Sequence, residues 1–442
     1  MSTSRRRIAT LAVSSIAALS LGLAGCSVGE IGGDSGSTEG QTEITYLFGD
    51  SGGTEVEFGE ALTKKFNEMN PDIKVTIETQ PAGTEGDNLM KTKLATGEMP
   101  DVFAYNTGSL FQALSPDKNL VPLTEEAWVA ELPDEFKSVV STDQGTYGAP
   151  TGTSLAGGIL YNKKVYADLG LKVPTSWAEF KANNDKIKAD GKITPIQQTY
   201  GETWTSQLFV LGDFANVAAK DPEWADQYTA NKRKYVDQPA LQSFKNQQDA
   251  YESGYFNKNF ASAKYDDGVK AVATGTAAHY PMLTTAISAI NQNFKDNVDD
   301  VGFFALPAQD AATTQMTIWL PGAAYIPKTT EGAKLDAAKK FVAFINSPEG
   351  CEIQSTVNTV TGPFVSACEL PSDVPALVKD VQKYLDDGKS SPALEFVSPI
   401  KGPNLEKITV EVGSGIKSGE EGAKLYDDDV KKQAQQLGLP GW

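Results

Sequence analysis

Residues 42–105 read TEITYLFGDSGGTEVEFGEALTKKFNEMNPDIKVTIETQPAGTEGDNLMKTKLATGEMPDVFAY. Thr42–Phe48 alternates apolar and polar residues as a strand does, and the glycine-rich residues 49–53 break it as a loop. Apolar residues at 58, 61, 62, 66 and 69 form a helical stripe, which Asn70-Pro71 stops. Ile73–Thr79 alternates again. Asn88–Ala95 is helical and ends before Gly97 and Pro100, and Asp101–Tyr105 is a short apolar strand. The order β-α-β-α-β predicts a parallel sheet with helices on both faces, an α/β fold.

Outward from this stretch the same alphabet continues. Strands are expected at Gly157–Asn162, Thr194–Gln198 and Val301–Leu306. Helices are expected after Pro174, with Thr175 or Ser176 as cap, over Thr203–Phe214 and Ala240–Ser253, and from Ala333 to about Ile345. The whole chain has 442 residues, more than the ~250–300 at which single cores stop growing, so two lobes are expected. A net charge of -18 argues against nucleic-acid phosphates as partners. One histidine cannot build a multi-His zinc site, and no Gly-Lys-Ser/Thr phosphate loop is present, so neither metal nor cofactor is expected.

The N-terminus carries Arg5–Arg7, an apolar run from Ile8 to about Leu23, and then Leu23-Ala24-Gly25-Cys26. This is the pattern of a secretory signal, with an apolar run shorter than the ~20 residues of a membrane span. Its end resembles a bacterial lipobox, which implies a signal over 1–25 and lipidation of Cys26. The Gly/Ser-rich residues 26–40 read as a flexible tether. Loss of the signal removes three arginines and no acids, taking the charge to -21, so the acyl chains rather than anionic lipid would hold the protein at the membrane. In the disulfide-permissive space outside the membrane, Cys351 and Cys368 are expected to pair.

Five segments carry a family resemblance. They are Ala61–Pro71, Leu94–Phe103, Ile159–Lys163, Pro174–Phe180 and Ala337–Gly350. In this order they resemble the extracellular solute-binding lipoproteins of carbohydrate ABC transporters, relatives of maltose-binding protein. The resemblance implies two α/β lobes joined by crossover strands, with an oligosaccharide held in the cleft between them and delivered to permease subunits by a monomer tethered outside the cell. On this chain it places the first lobe at 41–150 plus 281–320 and the second at 151–280 plus 321–442. The crossovers would lie near Tyr147–Thr153, Ala278–Leu283 and Pro321–Ile326.

Sugars need aromatic platforms beside amide, carboxylate and hydroxyl groups. The candidates follow from loops after strands. Phe48, Asp50 and Ser51 close the first strand, and the matching loop of the maltose-binding relative holds sugar hydroxyls. Asn106 follows the strand ending at Tyr105. Trp204 stands in a polar Gly/Thr loop without apolar neighbours in sequence. His279 lies in the expected second crossover, and Trp319 just precedes the third. Phe396 lies in the Pro-rich stretch from which the family often supplies an aromatic. The ligand class so implied is short galacto- or gluco-oligosaccharides, including 1,6-linked and raffinose-type sugars. The alternatives are a secreted lipoprotein glycosidase or a binder of another small polar solute. No Gly-x-Ser-x-Gly elbow accompanies His279, so catalysis is not expected.

Overall fold

The computed structural model describes residues 40–50, 55–81, 83–357, 359–366 and 368–442. Cys26, the signal and nearly all of the tether lie outside them, as do Ser51 and the side chain of Asp50. The chain begins β1 (Thr42–Asp50), α1 (Glu55–Met69), β2 (Ile73–Pro81), α2 (Gly83–Thr96), β3 (Val102–Tyr105). It continues β4 (Ala149–Thr151), β5 (Leu155–Asn162), α3 (Trp177–Asp190), β6 (Thr194–Ile196), α4 (Leu241–Glu252), α5 (Tyr265–Ala273), β7 (Ala277–Leu283), α6 (Ala286–Asn293), β8 (Val301–Ala305), β9 (Met316–Trp319). It ends β10 (Gly322–Tyr325), α7 (Gly332–Ile345), α8 (Pro348–Val357), α9 (Ala376–Asp386), β11 (Ser390–Pro392), α10 (Leu405–Gly413), α11 (Gly419–Gln436).

The opening β-α-β-α-β folds as its pattern predicts. β2, β1 and β3 lie side by side and parallel, and β10 and then β4 extend the sheet antiparallel. Ile44, Tyr46 and Phe48 point to one face of β1, where Leu62 and Phe66 of α1 meet Phe341 and Phe344 of α7. Phe66 sits edge-on to Phe341 at 5.2 Å between ring centres. Leu47 and Phe103 pack on the other face with Phe111, Tyr147 and Tyr325. A strand buried on both faces reads as nearly continuous apolar sequence, as Tyr46-Leu47-Phe48 does.

The second lobe centres on β5, buried from Ala156 to Asn162. It pairs antiparallel with β7 on one edge and with β8 and β9, end to end, on the other. β6 joins β7, and β11 joins β9. α3 starts where the sequence places it, because Ser176 accepts a hydrogen bond from the Glu179 amide and Glu179 answers at Thr175. The expected long helix over Thr203–Phe214 is instead a 3-10 turn, a short α turn and a new helix from Phe214, with Gly212-Asp213 between them.

Strand pairing corrects the lobe boundaries. Residues 281–320 contain β8 and β9, both bonded to β5, so they belong to the second lobe. β10, α7 and α8 return to the first lobe, where the sequence reading had placed second-lobe chain from 321 onward. β7 is an inner strand of the second sheet and not a crossover. The chain passes between the sheets at 152–154, at Leu320-Pro321, and again after α8. Periodicity reports that a strand exists, not which sheet takes it.

Candidate functional site

The crossings form part of the wall of a cavity of about 950 Å³ lined by both lobes. The strand β3 ends beside it, and Asn106 and Thr107, which follow that strand, line the space, as open α/β sheets dictate. From the first lobe come Glu55 of α1, Asp87 and Lys91 of α2, and Asn106 with Ser109 after β3. From the second come Gln207, Trp319, Glu395, Phe396, Lys401 and Glu406. Gly152, Thr153, Pro321 and Thr361 of the crossing segments form part of the lining.

Trp319 ends β9. Its ring lies over Gly157 of β5, where an added Cβ would come within 2.4 Å of the indole, so glycine makes the seat for the ring. Phe396 sits on a one-turn helix, Leu394–Val397, and packs on the first-lobe core around Phe111 and Tyr325. It therefore touches the opposite lobe from the one whose chain carries it. Gly108 makes this approach feasible: it has φ of 65°, and a Cβ there would fall 2.8 Å from the Glu395 carbonyl oxygen and 2.9 Å from the Phe396 ring. Next to it Thr107 Oγ1 donates to the Pro321 carbonyl at 3.2 Å, and Tyr325 donates its hydroxyl to the Asn106 carbonyl at 3.1 Å. These bonds fix the backbone from which the exposed Asn106 side chain projects.

A second cavity of about 410 Å³ adjoins the first and shares Glu55, Asp87, Asn106 and Gly152 with it. It is lined by Tyr46, Phe48 and Tyr105 at the carboxyl ends of the parallel strands. Burial, reinforced by the Asp87 carboxylate, pushes the Tyr105 hydroxyl well above the ordinary tyrosine range, so it stays protonated and able to donate. On the far wall of the main cavity Lys401 donates to Glu395 at 2.9 Å. The site thus combines two aromatic surfaces with amide, hydroxyl and carboxylate groups of both hydrogen-bonding senses.

The structure brings Phe48, Asn106, Trp319 and Phe396 to these two cavities. Asp50 ends β1 opposite Pro81, and Ser51 lies outside the described residues. Two candidates are corrected. Trp204 is 37% exposed and leans on Tyr265 of α5 at 5.5 Å, outside either lining, while Gln207, one turn on, takes the cleft position and donates to the Trp204 carbonyl. His279 is wholly buried in β7. Its Nδ1 donates to the Pro195 carbonyl at 2.9 Å, with Asn184 Oδ1 at 3.1 Å, so its Nε2 accepts from the Tyr166 hydroxyl at 2.7 Å. Burial lowers its pKa to about 3, and the ring is neutral. Placing β7 at a crossover was the error that carried His279 into the site.

Sequence reading missed Asp87, Lys91, Gln207, Lys401 and Glu406. Asp87 and Lys91 stand four apart on α2, a spacing that puts both on one helix face and was a usable signal. Cys351 and Cys368 are joined by a disulfide, as expected. Among the described residues no helix is long and apolar enough to cross a membrane.

Comparison with known proteins agrees with this architecture. A streptococcal protein named "Multiple sugar-binding protein", from Streptococcus mutans serotype c, is 29% identical over 295 residues, covering 65% of this chain and 67% of its own. The Bacillus subtilis "Melibiose/raffinose/stachyose-binding protein MelE" is 21% identical over 396 residues, with 85% and 84% covered. Among solved structures, a chitin oligosaccharide binding protein superposes with a TM-score of 0.75 at 23% identity, over 89% of this chain and 99% of that one. RafE in complex with raffinose does so with 0.71 at 22%, over 88% and 100%. Such structural likeness shows the shared two-lobed fold. The family model for bacterial extracellular solute-binding proteins matches residues 17–350, and the chain belongs to that family.

Proposed function

We propose that this protein is the sugar-binding component of an ABC importer, capturing a short oligosaccharide in the interlobe cleft and delivering it to membrane permease subunits. The observation that carries the reading is the cleft itself, with Trp319 and Phe396 presented among amide, hydroxyl and carboxylate groups at the junction of two lobes. A pyranose has apolar C–H faces and a rim of hydroxyls, and stacking surfaces beside mixed donors and acceptors suit both. The relatives named for sugars support the class. Galacto- and gluco-oligosaccharides, including 1,6-linked and raffinose-type sugars, are the first ligands to try.

In this reading the lobes move about the crossings and close on the sugar, and the closed form docks on the permease as a monomer. Cys26 carries the lipid that holds the protein outside the cell. Calorimetry with a panel of di- to tetrasaccharides, run alongside assay of released products, tests the proposal. Saturable binding without turnover is expected. Product release without saturable binding would establish a glycosidase instead. Mass analysis of the mature N-terminus tests Cys26, with a diacylglyceryl-modified cysteine as the expected result.

A further inference from the structure

The chain crosses between the lobes at 152–154, and a second crossing segment, 359–364, runs beside it. Thr153 bridges to Phe364 antiparallel, the Ser154 amide and hydroxyl both donate to the Pro363 carbonyl at 2.8 and 2.7 Å, and Thr153 and Thr361 share a hydroxyl bond at 2.9 Å. The two segments therefore form a narrow ribbon, and Thr153, Thr361 and Phe364 of this ribbon line the main cavity. Hydrogen bonds between two such segments do not by themselves fix where the ribbon sits relative to either lobe.

Helix α8 supplies that fixing twice. Gln354, buried in α8, donates from Nε2 to the Ile345 carbonyl at 2.8 Å and accepts the Gly152 amide on Oε1 at 2.8 Å. It ties the first crossing to the end of α7. Cys351, one turn earlier, is bonded to Cys368, beyond the second crossing. The sequence separation of 17 closes a loop whose middle is the cleft-lining segment. On the other side Thr359 accepts from Asn291 of α6 at 3.1 Å, and Val360 enters the second-lobe core. The ribbon is thus gripped by α8 on the first-lobe side and by α6 on the second.

We infer that α8, through Gln354 and the Cys351–Cys368 disulfide, is a mount that positions the crossing ribbon and so sets the affinity of the cleft for its ligand. The inference rests on the sugar reading for the identity of the ligand but not for the mechanics. A loop cut free of its cross-link regains conformational freedom that binding must then remove, so the linked protein starts closer to the bound geometry. Cys351 and Cys368 are positioning residues here. Both are partly exposed, which leaves them open to reagents.

The test uses the full chain in three forms: wild type, the double variant C351S/C368S, and wild type treated after folding with a water-soluble phosphine. The phosphine takes the disulfide to two thiols and is itself oxidised to the phosphine oxide. Calorimetry against the tightest-binding sugar is run well below the melting temperature of each form, and the ligand-free radius of gyration is measured by solution scattering. The unlinked forms should bind three- to tenfold more weakly and be more expanded without ligand. Gln354→Ala, which also removes a side chain from the cavity lining, should expand the ligand-free form as well as weaken binding. A lowered melting temperature with affinity and radius unchanged would overturn the inference, because the disulfide would then stabilise the fold without positioning the cleft. Should wild type bind no sugar in the panel, the sugar reading falls, while the ligand-free radius still decides the mount. If the double variant fails to fold, the phosphine-treated wild type carries both measurements.

Discussion

The histidine cluster in the second lobe and the lining of the cleft are made from the same kinds of side chain. Around His279 stand Tyr166, Asn184, Phe180 and Phe304. Around the cleft stand Trp319, Phe396, Asn106 and Gln207. In the first cluster each imidazole nitrogen meets a protein partner, and the rings seal the group from water. In the second, Phe396, Asn106 and Gln207 keep exposed surface on a cavity, and Trp319, only 9% exposed, borders it. What separates a core from a site is therefore whether the polar atoms are already satisfied within the protein.

Replacing residues in each cluster should sharpen or break this contrast. His279→Ala has the largest expected effect. It leaves a void and deprives Tyr166 and Asn184 of a partner, and about 3–5 kcal/mol of stability should go, read by denaturant unfolding. Its sugar affinity at a temperature where it is folded should match wild type. A selective loss of affinity would place His279 at the site after all.

Trp319→Ala should do the reverse. Ligand binding should weaken by about 2–3 kcal/mol through lost stacking area, measured by calorimetry. An unchanged Kd would mean that the aromatic floor is core packing like the histidine cluster.

The histidine should also register in the pH dependence of stability. Its folded pKa is depressed to about 3 while the unfolded chain keeps the ordinary value near 6.5, so between these values the unfolded state binds more protons. Stability held above pH 6.5 is then lost as pH falls toward 3, by up to about 1.4 kcal/mol per unit. Two buried carboxyls work against it. Asp213 and Asp427 are raised by burial to about 7 and about 6, so they favour the folded state as pH drops. The clean measurement is the difference between wild type and His279→Gln, whose unfolding free energies should diverge less with every step toward acid. A constant difference from pH 7 to pH 4 would mean that the imidazole is not held neutral.

Asn106→Ala should weaken binding by about 1 kcal/mol, the scale of one ligand hydrogen bond, with little change in melting temperature. Trp204→Ala should have the smallest effect, under about 0.5 kcal/mol on affinity, since it lies outside the lining in this conformation. A loss above 1 kcal/mol would show that closure carries Trp204 onto the ligand.

The first lobe was legible because its opening elements are local. Strand, loop, helix and turn follow one another within about sixty residues, and each is specified by its own period. Asn106 was reached through the loop after a strand, Trp319 through the third crossover and Phe396 through the family resemblance, and all three line the main cavity. The errors share one cause. β7 and β8 were recognisable as strands, yet nothing in their periodicity says that they pair with β5 rather than with β1, and β9 was not read as a strand at all. The exchange of segments 281–320 and 322–357 between lobes followed, and His279 with it. Trp204 failed differently. Its polar neighbours in sequence suggested a free platform, but Tyr265, more than sixty residues on, supplies its packing. Gly157 and Gly108, whose missing side chains admit Trp319 and Phe396, carry no sequence signal of that role at all.

The return of β10 to the first sheet also bears on the order in which the protein can be made. β3 has its antiparallel neighbour only when residues 322–325 arrive, and α7, which covers Phe66 and Tyr46, comes later still. Until roughly three-quarters of the polypeptide has emerged, the first lobe lacks one edge of its sheet and part of a core. A chain of this family acts outside the cell, so it has to cross a membrane before it matures. A fold completed only by late, long-range pairing nucleates slowly. The interleaving that builds the cleft thus postpones completion of the first lobe until late in the chain.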